Sequence, residues 1–275
     1  MTIITLVEDS QGKNNLESEH GVSFYIETSQ HKVLFDVGQT DLFLRNAIKL
    51  GLDLSLVDTV IISHGHYDHG GGLTDFLRIN KKAKIYIQRT AFKDYYSMRK
   101  ENEYTYIGLN KDLDESRFVL LDEDYKIDEE LILFNKISNN RFFPKSNQSL
   151  FKKVNNEMKL DDFEHEQNLI ILTENKVILI AGCAHKGIIN IIDQAELILK
   201  QRRIDIVLGG FHLSSKNKKY EETKENIEEI SKELFNLNVE MFYTGHCTGI
   251  IAYDIMKNIL KNKLLLIYPG FILNF

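Results

Sequence analysis

A chain of 275 residues that is 43% hydrophobic and 27% charged, with 16 phenylalanines and 12 tyrosines, has the composition of a folded protein and excludes global disorder. Its net charge of −6 supplies no concentrated basic surface, so a primary role in nucleic-acid binding is not expected. Only two cysteines occur, Cys183 and Cys247, which excludes a disulfide scaffold and leaves each thiol as a core residue or a metal ligand.

The N-terminal MTIITLVEDS lacks the basic start and apolar run of a signal peptide. The longest apolar runs, Val177–Ala181 and Leu264–Tyr268, are strand-sized, so no membrane span is expected and a cytoplasmic protein is the simplest reading. Short strands are predicted at Ile3–Val7, Val22–Glu27 and Lys32–Asp36. A helix follows over Asp41–Leu50, with Leu44, Ala47 and Ile48 on one face and Gly51 placed to end it. Thr59–Ser63 reads as a buried strand, Lys84–Gln88 as another, and Ala91–Arg99 as helical. From Lys100 to Glu166 the chain is charged, Asn-rich and weakly periodic, as expected of a variable insertion or a lid, with short strands at Arg117–Leu121 and Leu131–Phe134. Regular alternation then returns. Strands Leu169–Thr173 and Val177–Ala181 form a hairpin, followed by helix Gly187–Lys200, strand Asp205–Leu208, helix Tyr220–Leu237, strand Glu240–Tyr243, helix Ile250–Lys261 and strand Leu264–Tyr268. Two halves that each open with hairpin strands and continue as strand–loop–helix units fit two sheets packed face to face with helices outside, an αβ/βα sandwich. A doubly wound parallel sheet fits the initial run of strands less well.

The chemistry concentrates in Ser63-His64-Gly65-His66-Tyr67-Asp68-His69-Gly70-Gly71-Gly72, where three imidazoles and a carboxylate fall within six residues after a buried strand. Imidazole nitrogen and carboxylate oxygen suit zinc and borderline metals such as iron or manganese. A tight loop of this spacing can send His64 and His66 to one ion and turn Asp68 and His69 toward a second. Later in the chain His185, His212 and His246 each sit beside glycine just after a predicted buried strand. Strand ends gather at one edge of an α/β architecture, so His185 and His246 are the best further ligands and His212 a substrate-facing residue.

The HxHxDH pattern after a hydrophobic strand resembles the signature of the metallo-β-lactamase fold hydrolases, and Leu34-Phe35-Asp36-Val37-Gly38 resembles the strand-end aspartate of that superfamily. With Gly182-Cys183-Ala184-His185-Lys186-Gly187-Ile188, Gly209-Gly210-Phe211-His212-Leu213 and Gly245-His246-Cys247-Thr248-Gly249, the chain resembles the subgroup named for 7,8-dihydropterin-6-methyl-4-(β-D-ribofuranosyl)aminobenzene 5′-phosphate synthase. The resemblance implies one domain over residues 1–275, a four-layer sandwich of the metallo-β-lactamase type, with the variable insertion or lid around 100–166. It implies one or two divalent ions, zinc first and iron or manganese as alternatives, on His64, His66, Asp68, His69, His185 and His246, with Asp36 buttressing the loop. Cys183 stands where the superfamily carries a bridging aspartate, and no clean counterpart of its third-motif histidine appears in Asp161–Gln167, although His165 lies there. The activity implied is hydrolysis of a small phosphorylated or ester-type substrate by metal-activated water, with Asp68 orienting the water and His212, and also Lys186, stabilising charge on substrate. The subgroup's namesake implies an alternative, a transferase joining a dihydropterin methyl diphosphate to an aminobenzene ribose phosphate. A non-catalytic, metal-stabilised binding or sensor module is the third reading.

Overall fold

Period-two burial along the strands sets the architecture of the computed structural model, which describes residues 1–200 and 202–275. In Lys32–Phe35, Val33 and Phe35 enter one core while Leu34 enters another, and in Val177–Ile180 the pair Ile178 and Ile180 opposes Val177 and Leu179. Each main sheet therefore buries both faces, which demands a layer on either side.

The first sheet runs Ile272–Asn274, Thr2–Val7, Ser23–Glu27, Lys32–Phe35, Thr59–Ile61, Lys84–Gln88 and Phe118–Leu121. It is antiparallel up to Lys32–Phe35 and parallel beyond it. The second runs Leu264–Leu266, Met241–Thr244, Ile206–Gly209, Val177–Ile180, Asn168–Leu172, Leu131–Phe134 and Tyr125–Lys126. Its first four strands are parallel and the rest antiparallel. Phe24, Phe35 and Ile61 of the first sheet meet Leu133, Ile171 and Ile180 of the second in the central core. Outside, helices Leu42–Lys49 and Leu73–Ile79 cover the first sheet, and Ile188–Leu199, Lys224–Asn236 and Ile250–Leu260 cover the second. This is the four-layer αβ/βα sandwich.

Three details differ from the sequence reading. The stretch Ala91–Arg99 is not a helix: after a short turn it becomes the strand Tyr95–Lys100, with Tyr95 and Ser97 buried and Tyr96 and Met98 less so. Its aromatic residues satisfy a strand because Leu150–Val154 and Glu103–Tyr106 pair on its two sides, contacts that local periodicity cannot register. The first helix buries Leu42, Phe43, Asn46 and Ala47, whereas Ile48 is 74% exposed, so its inward face is turned from the one expected. Third, residues 100–166 are not one piece. Phe118–Leu121 and Leu131–Phe134 complete the two main sheets, while Tyr95–Lys100, Glu103–Tyr106, Leu150–Val154 and Glu157–Leu160 form a separate four-stranded sheet.

Parallel strands point their carboxyl ends the same way. Those of Lys32–Phe35 and Thr59–Ile61 in one sheet, and of Val177–Ile180, Ile206–Gly209 and Met241–Thr244 in the other, deliver Asp36, the histidine loop, Cys183, His185, His212 and His246.

Candidate metal centre

Asp36 organises the histidine loop. It is buried with a positive φ of 57°, and its Oδ1 accepts the Ser63 backbone N–H at 2.7 Å. Its Oδ2 accepts from Ser63 Oγ and from His69 Nδ1, each at 2.7 Å. Having donated to Asp36, the Ser63 hydroxyl can accept from His64 Nδ1, 2.8 Å away. One carboxylate thus fixes both imidazoles with Nδ1 protonated and the Nε2 lone pair free. Gly182 must lack a side chain, because a Cβ there would overlap Ser63 Oγ.

The rings of His64, His66 and His185 lie with centroids 4.6 to 5.0 Å apart. Asn147 Oδ1 lies 3.1 Å from His185 Nδ1, and its Nδ2 donates to the His185 carbonyl at 2.7 Å. Glu166, fully buried, accepts the backbone N–H groups of His185 at 2.6 Å and Lys186 at 2.9 Å, pinning the loop that carries Cys183 and His185. Cys183 groups with His64 and His185 on one side and with His69 and His246 on the other, its Sγ 3.1 Å from His69 Nε2. Asp68 Oδ2 lies 3.6 Å from His69 Nε2 and 3.4 Å from His246 Nε2.

The donor set fits divalent cations. The Nε2 atoms of His64, His66, His185 and His246 are buried with no hydrogen-bond partner, which is costly for a polar atom unless a cation is its partner. Burial and the neighbouring His165 push His66 down to about 3, and burial with the surrounding imidazoles pushes His64 and His185 well below 6.5. All three are therefore neutral donors at physiological pH. Burial works against ionised Asp68, but His69, His246 and His20 around it hold its pKa well down. Burial pushes the Cys183 thiol up, so a thiolate there requires an adjacent cation.

Other residues fall into different places. Both ring nitrogens of His212 are buried and unpartnered, its φ is 49°, and its ring centroid lies 4.1 Å from that of His185. Lys186 does not reach this site: its Nζ donates to the Asn135 carbonyl at 3.0 Å, beside a separate cleft. His165 is saturated, with Nδ1 accepting from the Gly65 N–H and Nε2 2.9 Å from Asp161, so it positions the loop instead of offering a lone pair. Asp9, His20, Asn147 and Glu166 were not singled out from sequence; no local pattern marks them. A cleft of about 210 Å³ opens over the cluster, lined among others by Asp68, His185, His212, His246, Arg99 and Lys216.

Residues 18–131 match the family model of the metallo-beta-lactamase superfamily. Over 99% of its length the chain is 32% identical to a curated relative, the 7,8-dihydropterin-6-methyl-4-(beta-D-ribofuranosyl)-aminobenzene-5'-phosphate synthase of Methanocaldococcus jannaschii, 96% of which is covered. The chain belongs to the metallo-β-lactamase superfamily. It falls in the subgroup of that synthase. Among solved structures of the superfamily, Tm1679, described as a metal-dependent hydrolase, superposes with a TM-score of 0.81 at 35% identity, over 100% of this chain and 99% of the other. The Bacillus subtilis metallo-beta-lactamase fold protein YhfI shares the fold at 10% identity and TM-score 0.54, over 99% of both chains. Membership of the superfamily implies divalent-metal binding, in agreement with the partnerless imidazoles. No helix among the described residues is long and apolar enough to cross a membrane.

Proposed function

We propose that this chain is a metal-dependent hydrolase of a small anionic substrate, a phosphate or carboxylic ester, in which two zinc-class cations would be held by His64, His66 and His185 and by Asp68, His69 and His246, with Cys183 within reach of both groups. The observation that carries the reading is the shared position of Cys183 between His64 with His185 and His69 with His246, against four imidazole Nε2 atoms that have no other partner. Bound cations would supply Lewis acidity and a nucleophile at neutral pH. The chain's own residues supply the rest. Asp68 lines the cleft, where it would orient an attacking water, and His212 presents unpartnered ring nitrogens that can stabilise charge on a leaving oxygen by hydrogen bonding. Of the carboxylates lining the cleft, Asp9 and Asp68 are engaged by imidazoles, whereas Arg99 and Lys216 add positive charge suited to an anion. A cytoplasmic protein is the setting in which a thiolate bridge stays reduced.

A second reading rests on the 32% identity to the M. jannaschii synthase: a transferase coupling a dihydropterin methyl diphosphate to an aminobenzene ribose phosphate. One experiment separates them. Metal-loaded protein is given chromogenic phosphomonoesters, phosphodiesters, lactones and thioesters, and separately the pterin and arylamine pair. Turnover of an ester that is abolished in His66→Ala supports hydrolysis. Coupled product without ester turnover overturns it in favour of the transferase. Inactivity in both at full metal occupancy leaves a binding module.

A further inference from the structure

Asp9 sits at the end of the first strand, and its carboxylate is shared by two imidazoles. Its Oδ2 lies 2.8 Å from His20 Nδ1 and its Oδ1 lies 2.6 Å from His246 Nδ1. A carboxylate accepts, so both Nδ1 atoms carry hydrogen, and both Nε2 atoms, which hold a lone pair whenever the ring is neutral, are turned away from Asp9. Both then meet the same atom: His20 Nε2 and His246 Nε2 are each 3.4 Å from Asp68 Oδ2, and His69 Nε2 is 3.6 Å from it. Three ring nitrogens around one carboxylate oxygen set lone pair against lone pair unless positive charge lies among them. Atoms about 2.0–2.1 Å from one zinc-class ion of four or five ligands lie about 2.9–3.4 Å from their neighbours, close to these separations.

The backbone holds His20 in this place. Gly21 N–H donates to Asp9 Oδ1 at 3.2 Å, and the Val22 N–H donates to the Asp68 carbonyl at 3.3 Å. Gly21 has a φ of 149°, and a Cβ on it would overlap the Asp68 carbonyl oxygen. The segment carrying His20 is therefore laid directly on the turn carrying Asp68. The His20 and His246 rings lie with centroids 4.7 Å apart and planes tilted by 35°, as two ligands of one ion can.

We propose that His20 is a protein ligand of the second cation, alongside Asp68, His69 and His246, with Asp9 orienting two of its imidazoles at once. This rests on the two-cation reading above. It makes the loop between the first two strands part of the metal centre, so that cation binding at the second position orders Asp9–Val22 against Asp68.

The test is cobalt(II) titration of the full-length chain, followed by its visible absorption, in wild type, His20→Ala and His20→Phe. The Phe variant keeps a ring against His246 and removes both the Nε2 lone pair and the Nδ1 donor to Asp9, so the cadmium measurement is what isolates the lone pair. We expect two equivalents in the wild type, with the second weakened at least tenfold in both variants, its absorption bands shifted and the first equivalent unchanged. A second equivalent of wild-type affinity and spectrum in a folded variant overturns the proposal. In cadmium-loaded wild type, nitrogen–cadmium correlation NMR should show a coupling at His20 Nε2, and its absence also overturns the proposal without relying on any variant. A wild type that takes up no cation fails the two-cation reading itself, a result distinct from normal uptake that is indifferent to His20.

Discussion

Asp36 Oδ2 and His69 Nδ1 lie 2.7 Å apart with both side chains completely buried, and the same oxygen also accepts from Ser63 Oγ. Outer hydrogen bonds of this kind fix a ligand's tautomer, and losing one lowers metal affinity by about 10–100-fold. Asp36→Asn retains an oxygen toward Ser63 but turns one acceptor into a donor facing His69 or Ser63. We expect a folded protein whose second cation binds about 10–100-fold more weakly. Asp36→Ala removes the acceptor from three donors and should destabilise the metal-free fold by about 3–5 kcal/mol. Metal titration and urea unfolding read the two effects separately. Unchanged affinity in Asp36→Asn would show that the contact is structural only.

The parts of the site legible in the sequence are those in which chemistry and chain neighbourhood coincide. His64, His66, Asp68 and His69 occupy one loop, and His185, His212 and His246 each follow a buried strand, so alternation and glycine placement were enough to mark them. Asp9, His20 and Glu166 carry no such mark: Glu166 is a carboxylate in a charged stretch, and only the fold brings it against the amides of His185 and Lys186. The same limit explains Lys186, adjacent to the ligand loop in sequence yet directed to Asn135. It also explains Tyr95–Lys100, whose strand identity is conferred by partners more than 50 residues away on one side, Ser97 pairing with Leu150.

Glu166 is the clearest stability test. Its two oxygens satisfy two backbone donors in the interior, and burial raises its pKa, with the Lys186 and His185 amides opposing that rise. Glu166→Ala strands both amides at about 1–3 kcal/mol each. We expect a loss of that order in urea unfolding, with weaker binding of the first cation because the His185 loop is released. Glu166→Gln, which keeps one acceptor oxygen, should lose less. Equal losses in both variants would mean that the charge matters and the hydrogen-bond count does not.

His31 ties the two main sheets together. Its Nδ1 lies 2.8 Å from Asp58, which precedes the strand Thr59–Ile61, and its Nε2 meets Asp128, which precedes Leu131–Phe134. Burial opposes its charge, but the hydrogen bonds and charges of Asp128 and Asp58 outweigh that and raise its pKa. A raised folded-state value means that the stabilisation is fully present below the unfolded imidazole's pKa of about 6.5 and fades as pH climbs through the folded value. Wild type should therefore lose unfolding free energy, relative to His31→Gln, across the range above about pH 6.5. A difference between the two proteins that is flat across that range would remove His31 as the source.

On the two-cation reading, Cys183 would couple the two positions. Its Sγ is 3.1 Å from His69 Nε2, and the same residue groups with His64 and His185, so a thiolate there would neutralise charge at both positions. Burial pushes the thiol up, so a cation held by Cys183 would release its proton, and affinity is then expected to rise with pH. Cys183→Ala removes the anion that would offset charge between the two positions, and we expect it to hold one tight equivalent in elemental analysis against two in wild type. Cys183→Asp restores a bridging anion of similar reach and should recover the second equivalent. Proton release on metal binding, followed by a pH indicator, should fall by about one per chain in both variants, since the introduced carboxyl is already ionised near neutral pH. Two equivalents and full proton release in Cys183→Ala would reassign the thiol to packing and leave the cations bridged by something other than the protein.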